Sequence, residues 1–182
     1  TSGDTGSAVA NGFFNLDGIQ VVILYPSGRV SAIQEQQLTT YGGNITALEV
    51  EGSFDDCQHM VKEAFLDKSV NQRRSLSSAN SINIARILPQ SVYYAWAWKQ
   101  INTDQPIVFS VPSGNFGNLT GGILAKHMGL PVEKFIAATN ANDVFPKYLG
   151  TGEFNAMPSK QTISNAMDVG SPSNFDRILK IY

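Results

Sequence analysis

The sequence predicts an α/β protein in which parallel sheets are flanked by helices. Two observations carry this expectation. Short apolar runs rich in β-branched residues alternate with longer segments whose apolar residues recur at helical spacing. One such run, residues 107–111, also leads through a glycine-rich turn, residues 113–118, into a further helical segment. A strand, a tight turn and a helix in that order belong to a parallel sheet with crossover connections.

Taken in order, the chain predicts a helix over about residues 5–15 and a strand over 19–25, ended by Pro26-Ser27-Gly28. A helix over about 31–41 follows, closed by Gly42-Gly43, and then a strand over 45–50. Ser53 with Asp56 three residues on is a helix start, and Cys57, Met60, Val61, Ala64 and Phe65 keep helical spacing. The polar stretch 67–78 breaks the pattern and is the expected crossover between two lobes, residues 1–76 and 77–182. The longest helix is expected over 82–101, kinked by Pro89. After the strand at 107 come a helix over 119–128 and a strand over 135–139, and the remainder reads as loop-rich.

Composition narrows the function. A net charge of -2 with no dominant basic face argues against nucleic acid or an anionic membrane as the main partner. A single cysteine, Cys57, excludes an intramolecular disulfide and a cysteine metal cluster, and fits a reducing, cytoplasmic setting. His59 and His127 have no ligand-spaced companions, so no metal site is expected and each is placed on an exposed helix face. No run approaches the roughly 20 apolar residues of a membrane span.

The turn at 113–118 is where ligand chemistry is expected. A glycine-rich turn between strand and helix leaves several backbone N–H groups near the positive end of a helix dipole, which suits a phosphate. It contains no Lys or Arg, so its affinity must come from amides, aided by the side chains of Ser113, Asn115 and Asn118. It is not a Walker loop, because Gly117-Asn118-Leu119 stands where Gly-Lys-Ser/Thr is required. Nor is it a dinucleotide fingerprint, because its glycines fall at 114, 117 and 121. The competing expectation is a plain turn in which glycine supplies positive φ.

A second polar cluster spans residues 78–86. Asn80 or Ser81 would cap the long helix. Two more polar residues and Arg86, about one and a half turns in, exceed what one cap requires and point to a second anion site at the helix start. The chain also opens on glycine-rich loop chemistry, Thr1-Ser2-Gly3-Asp4-Thr5-Gly6-Ser7, with no strand before it.

These motifs together resemble the threonine synthase family, pyridoxal-phosphate enzymes of the tryptophan-synthase β-like group (fold type II). The resemblance lies in residues 1–8, 22–26, 80–86, 111–118, 135–140 and 164–169, in the family's order and over most of the chain. It implies parts of two lobes, conversion of O-phospho-L-homoserine and water to L-threonine and phosphate, and pyridoxal 5'-phosphate as cofactor. By the same resemblance Gly114, Asn115, Phe116, Gly117 and Asn118 cradle the cofactor phosphate, with Asp4 also at the cofactor. Ser2, Gly3 and Thr5 face the substrate, and Asn80, Ser81 and Arg86 hold its phosphate. Asp4 stands where other branches of the family have Asn. Residues 164–168 are expected near the site or in an ordinary loop. The family's Schiff-base lysine sits upstream of the Ser-Gly-Asp-Thr loop, and Lys62, Lys126 and Lys134 read as solvent-facing. The expectation is thus an internal piece, inactive alone, of a longer enzyme. The alternatives are another fold-type-II enzyme (a dehydratase or sulfhydrylase) or a non-catalytic phosphate-binding relative.

Overall fold

The structure, a computed structural model, describes residues 3–81 and 83–181, and of Gly3 and Asp4 the backbone alone. The chain divides into two compact units, Thr1–Asn80 and Ser81–Tyr182.

The first unit runs α1 (Gly3–Phe13), β1 (Val21–Pro26), α2 (Ala32–Thr39), β2 (Ile45–Val50), α3 (Phe54–Leu66) and α4 (Lys68–Arg73). The two strands pair in parallel, with Val21 opposite Ile45 and Leu24 opposite Leu48. Strand alternation turns Val21, Ile23 and Tyr25 inward, where they meet Ala10, Leu38 and Ile45. Helix α3 begins where expected: Ser53 and Asp56 form a reciprocal capping box, the Asp56 carboxylate accepting from the Ser53 N–H at 2.6 Å. The stretch 67–78, expected to be irregular, contains α4. Its sequence is polar almost all round, so periodicity gives no signal. It is set instead by Asp67, whose carboxylate accepts from the N–H groups of Ser69 and Val70.

The second unit runs α5 (Ile84–Ile87), a 3-10 turn (Leu88–Gln90), α6 (Ser91–Ile101), β3 (Ile107–Pro112), α7 (Gly117–His127), β4 (Val132–Ala138), α8 (Val144–Thr151), a second 3-10 turn (Asn165–Met167) and α9 (Phe175–Ile181). The expected long helix is therefore two helices. Pro89 offers no N–H to the ladder, and the chain tightens around it into the 3-10 turn. The cap is also displaced. Asn83, rather than Asn80 or Ser81, accepts from the Ala85 N–H at 3.0 Å, which places Arg86 in the first turn of α5.

Strands β3 and β4 are parallel, with Phe109 opposite Phe135 and Val111 opposite Ala137. Strand β4 starts three residues before the expected 135, because Glu133 and Lys134 interrupt its apolar pattern. Helix α7 packs very closely on its neighbours. A Cβ at Gly122 would stand 2.7 Å from both Tyr94 and Phe135, and one at Gly121 3.0 Å from Gln90. The core of this unit joins Tyr94, Val111, Leu119 and Ile123 to an aromatic group around Phe116, Phe145 and Phe175. Helices α8 and α9 replace the expected loops. Pro146 sits in the first turn of α8, where a missing N–H costs nothing, and Gly152 ends it with a left-handed φ of 77°. No helix among the described residues is long and apolar enough to cross a membrane.

Candidate functional site

The glycine turn links β3 to α7 at the carboxyl end of the sheet, where ligands of open parallel sheets bind. Its shape depends on Phe116, a non-glycine residue held in the left-handed region at φ 60°, ψ 14°. That conformation costs of order 1–2 kcal/mol. It persists because the Phe116 ring is buried against Phe145, with centroids 4.6 Å apart. Left-handed Phe116 followed directly by helical Gly117 turns successive N–H groups toward one side, which makes an anion-binding concavity.

Those N–H groups are available. Helix α7 has no side-chain cap, and its first intrahelical bond is Thr120 N–H to Phe116 O. Among the described residues, the N–H groups of Gly114, Asn115, Phe116, Gly117, Asn118 and Leu119 have no protein acceptor. Six consecutive unclaimed donors at a helix start are a strong anion-binding feature.

The sequence reading adds the side chains of Ser113, Asn115 and Asn118 to that anion, but the structure uses them elsewhere. Ser113 is buried and donates to Val111 O at 2.8 Å. Asn118 Nδ2 donates to Gln90, and its Oδ1 accepts from the Tyr94 hydroxyl at 2.6 Å. Burial pushes the Tyr94 phenol up to about 12, so it remains a donor across the physiological range. Asn115 donates to Ser81 Oγ at 2.9 Å and accepts from the N–H and hydroxyl of Ser173. These side chains act as struts within the protein, while the backbone N–H groups of the turn stay unclaimed.

The struts also bring the second cluster to the turn. Ser81 accepts from Asn115, and a Cβ at Gly117 would lie 3.2 Å from the Ser81 Cβ. Arg86 is tied in through Gln90, which donates to Arg86 O and accepts from Asn118. The Arg86 guanidinium is half-buried, and that desolvation pulls its pKa below the usual value. In the first unit, Gly3 and Thr5 lie in the first turn of α1, since that helix opens before the expected residue 5. Ser2 and the Asp4 side chain lie outside the described residues. The Asn80 N–H donates to Ser78 Oγ.

Of the back wall of the turn, sequence reasoning singled out residues 164–168 and missed Asn174 and Arg177. Residues 164–168 do reach it: a Cβ at Gly114 would be 2.7 Å from the Met167 Cα, so only glycine fits there. That segment is pinned by Asp168, whose carboxylate accepts from Thr162, Asn140 and Asn142. Asn174 and Arg177 complete the wall, Arg177 donating to Ser81 O at 2.9 Å. Their only sequence signal is a cluster of Asn and Ser before a short apolar run. Lys62, Lys126 and Lys134 are exposed, as expected. The described residues contain no group of three His, Cys, Asp or Glu able to hold a metal.

A strand–turn–helix with a run of unclaimed backbone N–H donors, in a parallel α/β unit, is an arrangement consistent with an enzyme that holds a phosphate-bearing cofactor. Residues 1–182 match the family described as pyridoxal-phosphate dependent enzyme, and the chain belongs to that family. Within it, the chain is similar to threonine synthases. It is 50% identical to that of Buchnera aphidicola subsp. Acyrthosiphon pisum, over all of this chain and 43% of the relative. The crystal structure of threonine synthase from Escherichia coli superposes with a TM-score of 0.95 at 50% identity, over all of this chain and 43% of that one. The pyridoxal-phosphate-bound threonine synthase from Brucella melitensis gives 0.83 at 46% identity, over 98% and 39%. The chain thus spans less than half the length of these relatives.

Proposed function

We propose that this chain is part of a threonine synthase that binds pyridoxal 5'-phosphate and converts O-phospho-L-homoserine and water to L-threonine and phosphate. One observation carries the assignment: the run of N–H donors from Gly114 to Leu119, with no protein acceptor among the described residues, at the head of α7. Donors without a counter-charge suit a phosphate monoester that must be held in place without being hydrolysed.

In this reading the backbone of Gly114, Asn115, Phe116, Gly117 and Asn118 grips the cofactor phosphate, and Asp4 approaches the cofactor. When bound, the cofactor supplies the electron sink for proton removal at two carbons and departure of phosphate. Ser2, Gly3 and Thr5 orient the substrate. Asn80, Ser81 and Arg86 hold its phosphate, and the planar, permanently charged fork of Arg86 suits two oxygens at once. Residues 1–76 contribute to a smaller mobile lobe and residues 77–182 to the larger cofactor lobe. The lack of a membrane-spanning helix among the described residues and the one reduced, buried cysteine accord with a cytoplasmic enzyme.

Titration of the chain with pyridoxal 5'-phosphate and with pyridoxal, followed by calorimetry, tests the assignment. The phosphorylated form should bind at least tenfold tighter, and equal affinity would refute the phosphate cradle.

A further inference from the structure

We propose that Gln90 and Tyr94 are positioning residues that hold the Asn118 side chain away from its own helix start, so that the amides of the glycine turn stay open to an anion. Their role rests on the phosphate-binding reading of that turn proposed above.

Asn118 occupies the second position of α7, within the run of N–H groups that no protein acceptor claims among the described residues. An asparagine so placed is a hazard to an anion site. Its amide oxygen can bond the backbone N–H of its own residue or of a neighbour, and such local bonds compete with any other acceptor. Yet α7 carries no side-chain cap. The Asn118 oxygen is engaged elsewhere, accepting from the Tyr94 hydroxyl at 2.6 Å.

The direction of that bond is dictated from further back. Arg86 O can only accept, and Gln90 Nε2 lies 2.8 Å from it. The Gln90 oxygen therefore faces Asn118 Nδ2, 3.2 Å away. With its nitrogen so committed, the Asn118 amide presents its oxygen to Tyr94, whose hydroxyl must donate. Tyr94 reaches the same residue a second time, its hydroxyl lying 3.0 Å from Asn118 O. Both clamps are also pressed onto α7 one turn further along, on the face that Asn118 shares. A Cβ at Gly121 would stand 3.0 Å from the Gln90 Cβ, and one at Gly122 2.7 Å from the Tyr94 ring. That close approach fixes the distance across which the two clamps grip Asn118.

Gln90→Met keeps the length and bulk of the side chain but removes both of its polar ends. Measured by calorimetry in the 182-residue chain, it should weaken binding of inorganic phosphate and of pyridoxal 5'-phosphate about tenfold, the worth of one amide taken by the released Asn118. Adding Asn118→Ala should then restore most of that affinity, because alanine has no oxygen with which to compete. Were Asn118 a plain strut, deleting it after its partner would recover nothing. Tyr94→Phe frees Asn118 from the other side, and with and without Asn118→Ala it gives the same readout should the methionine variant not fold. Wild-type affinity in the clamp variant, or no recovery on adding Asn118→Ala, would overturn the role of the clamps and leave the proposed function standing. Failure of the wild-type chain to bind either probe would overturn the proposed function and this role together.

Discussion

The Phe116 ring lies against Phe145 at a centroid distance of 4.6 Å and an interplanar angle of 43°, while the Phe116 backbone holds a φ of 60°. Side-chain burial and backbone strain thus oppose each other in one residue. Removing the ring should cost about 3–5 kcal/mol. The choice of replacement then reports the strain. Phe116→Gly should be less destabilising than Phe116→Ala by about 1 kcal/mol, because glycine accepts the left-handed region freely. Urea denaturation of the two variants decides this, and an alanine variant at least as stable as glycine would rule out strain at this turn.

Two glycine-to-alanine changes should have opposite signs. A Cβ at Gly114 meets the Met167 backbone at 2.7 Å, which cannot rotate aside, so Gly114→Ala should lower stability by about 1–3 kcal/mol and weaken pyridoxal-phosphate binding. Gly12 lies in α1 with nothing within 4 Å of an added Cβ. Gly12→Ala should stabilise by about 0.4–1 kcal/mol. Thermal denaturation of both variants provides the comparison.

Tyr94 should make the fold sensitive to alkali. Its phenol is raised from 10 to about 12 by burial, so the folded state keeps a proton that the unfolded state loses first. The associated stability is present in full below pH 10 and is lost as pH rises from there toward about 12. Tyr94→Phe, which also releases Asn118, should show a flatter stability profile over that window. Denaturation midpoints from pH 8 to 11 measure it, and parallel profiles for the two proteins would exclude Tyr94 as the source.

Asp67 should give the opposite, acid dependence. Bonds from the Ser69 hydroxyl and from the Val70 and Ser69 N–H groups hold its carboxyl below the ordinary value of 3.8. Its support of α4 is therefore complete above that value and fades as pH falls through the lower folded pKa. Amide exchange at Ser69 and Val70 should stay slow to below pH 4 and then accelerate once intrinsic rates are removed. Asp67→Ala should show unprotected amides at every pH.

The parallel α/β pattern was legible because β1, β2 and β3 are apolar runs bounded by strong breakers, and because Ser53 and Asp56 mark a helix start that needs no tertiary help. The glycine turn was legible by composition for the same reason. What its side chains do was not, since Asn118 meets Tyr94 across 24 residues and Asn115 meets Ser173 across 58. No local pattern encodes such partners. Helices α8 and α9 escaped because Pro146 and Gly150 imitate loop chemistry and a seven-residue helix has barely two turns in which to express a period. Asn83 was passed over as a cap because Asn80 and Ser81 offer the same chemistry a few positions earlier, and only the tertiary pull of Asn115 and Asn174 on Ser81 separates them.

Parallel pairing has a kinetic consequence. Strands β3 and β4 cannot zip together from a hairpin, because α7 must span the distance between their opposite ends. Ladder and helix therefore form in one event, with Gly121 and Gly122 as the points of closest approach. Crowding either glycine should slow refolding as well as hasten unfolding, and the amide pocket at the head of α7 should appear in the same kinetic phase as the sheet.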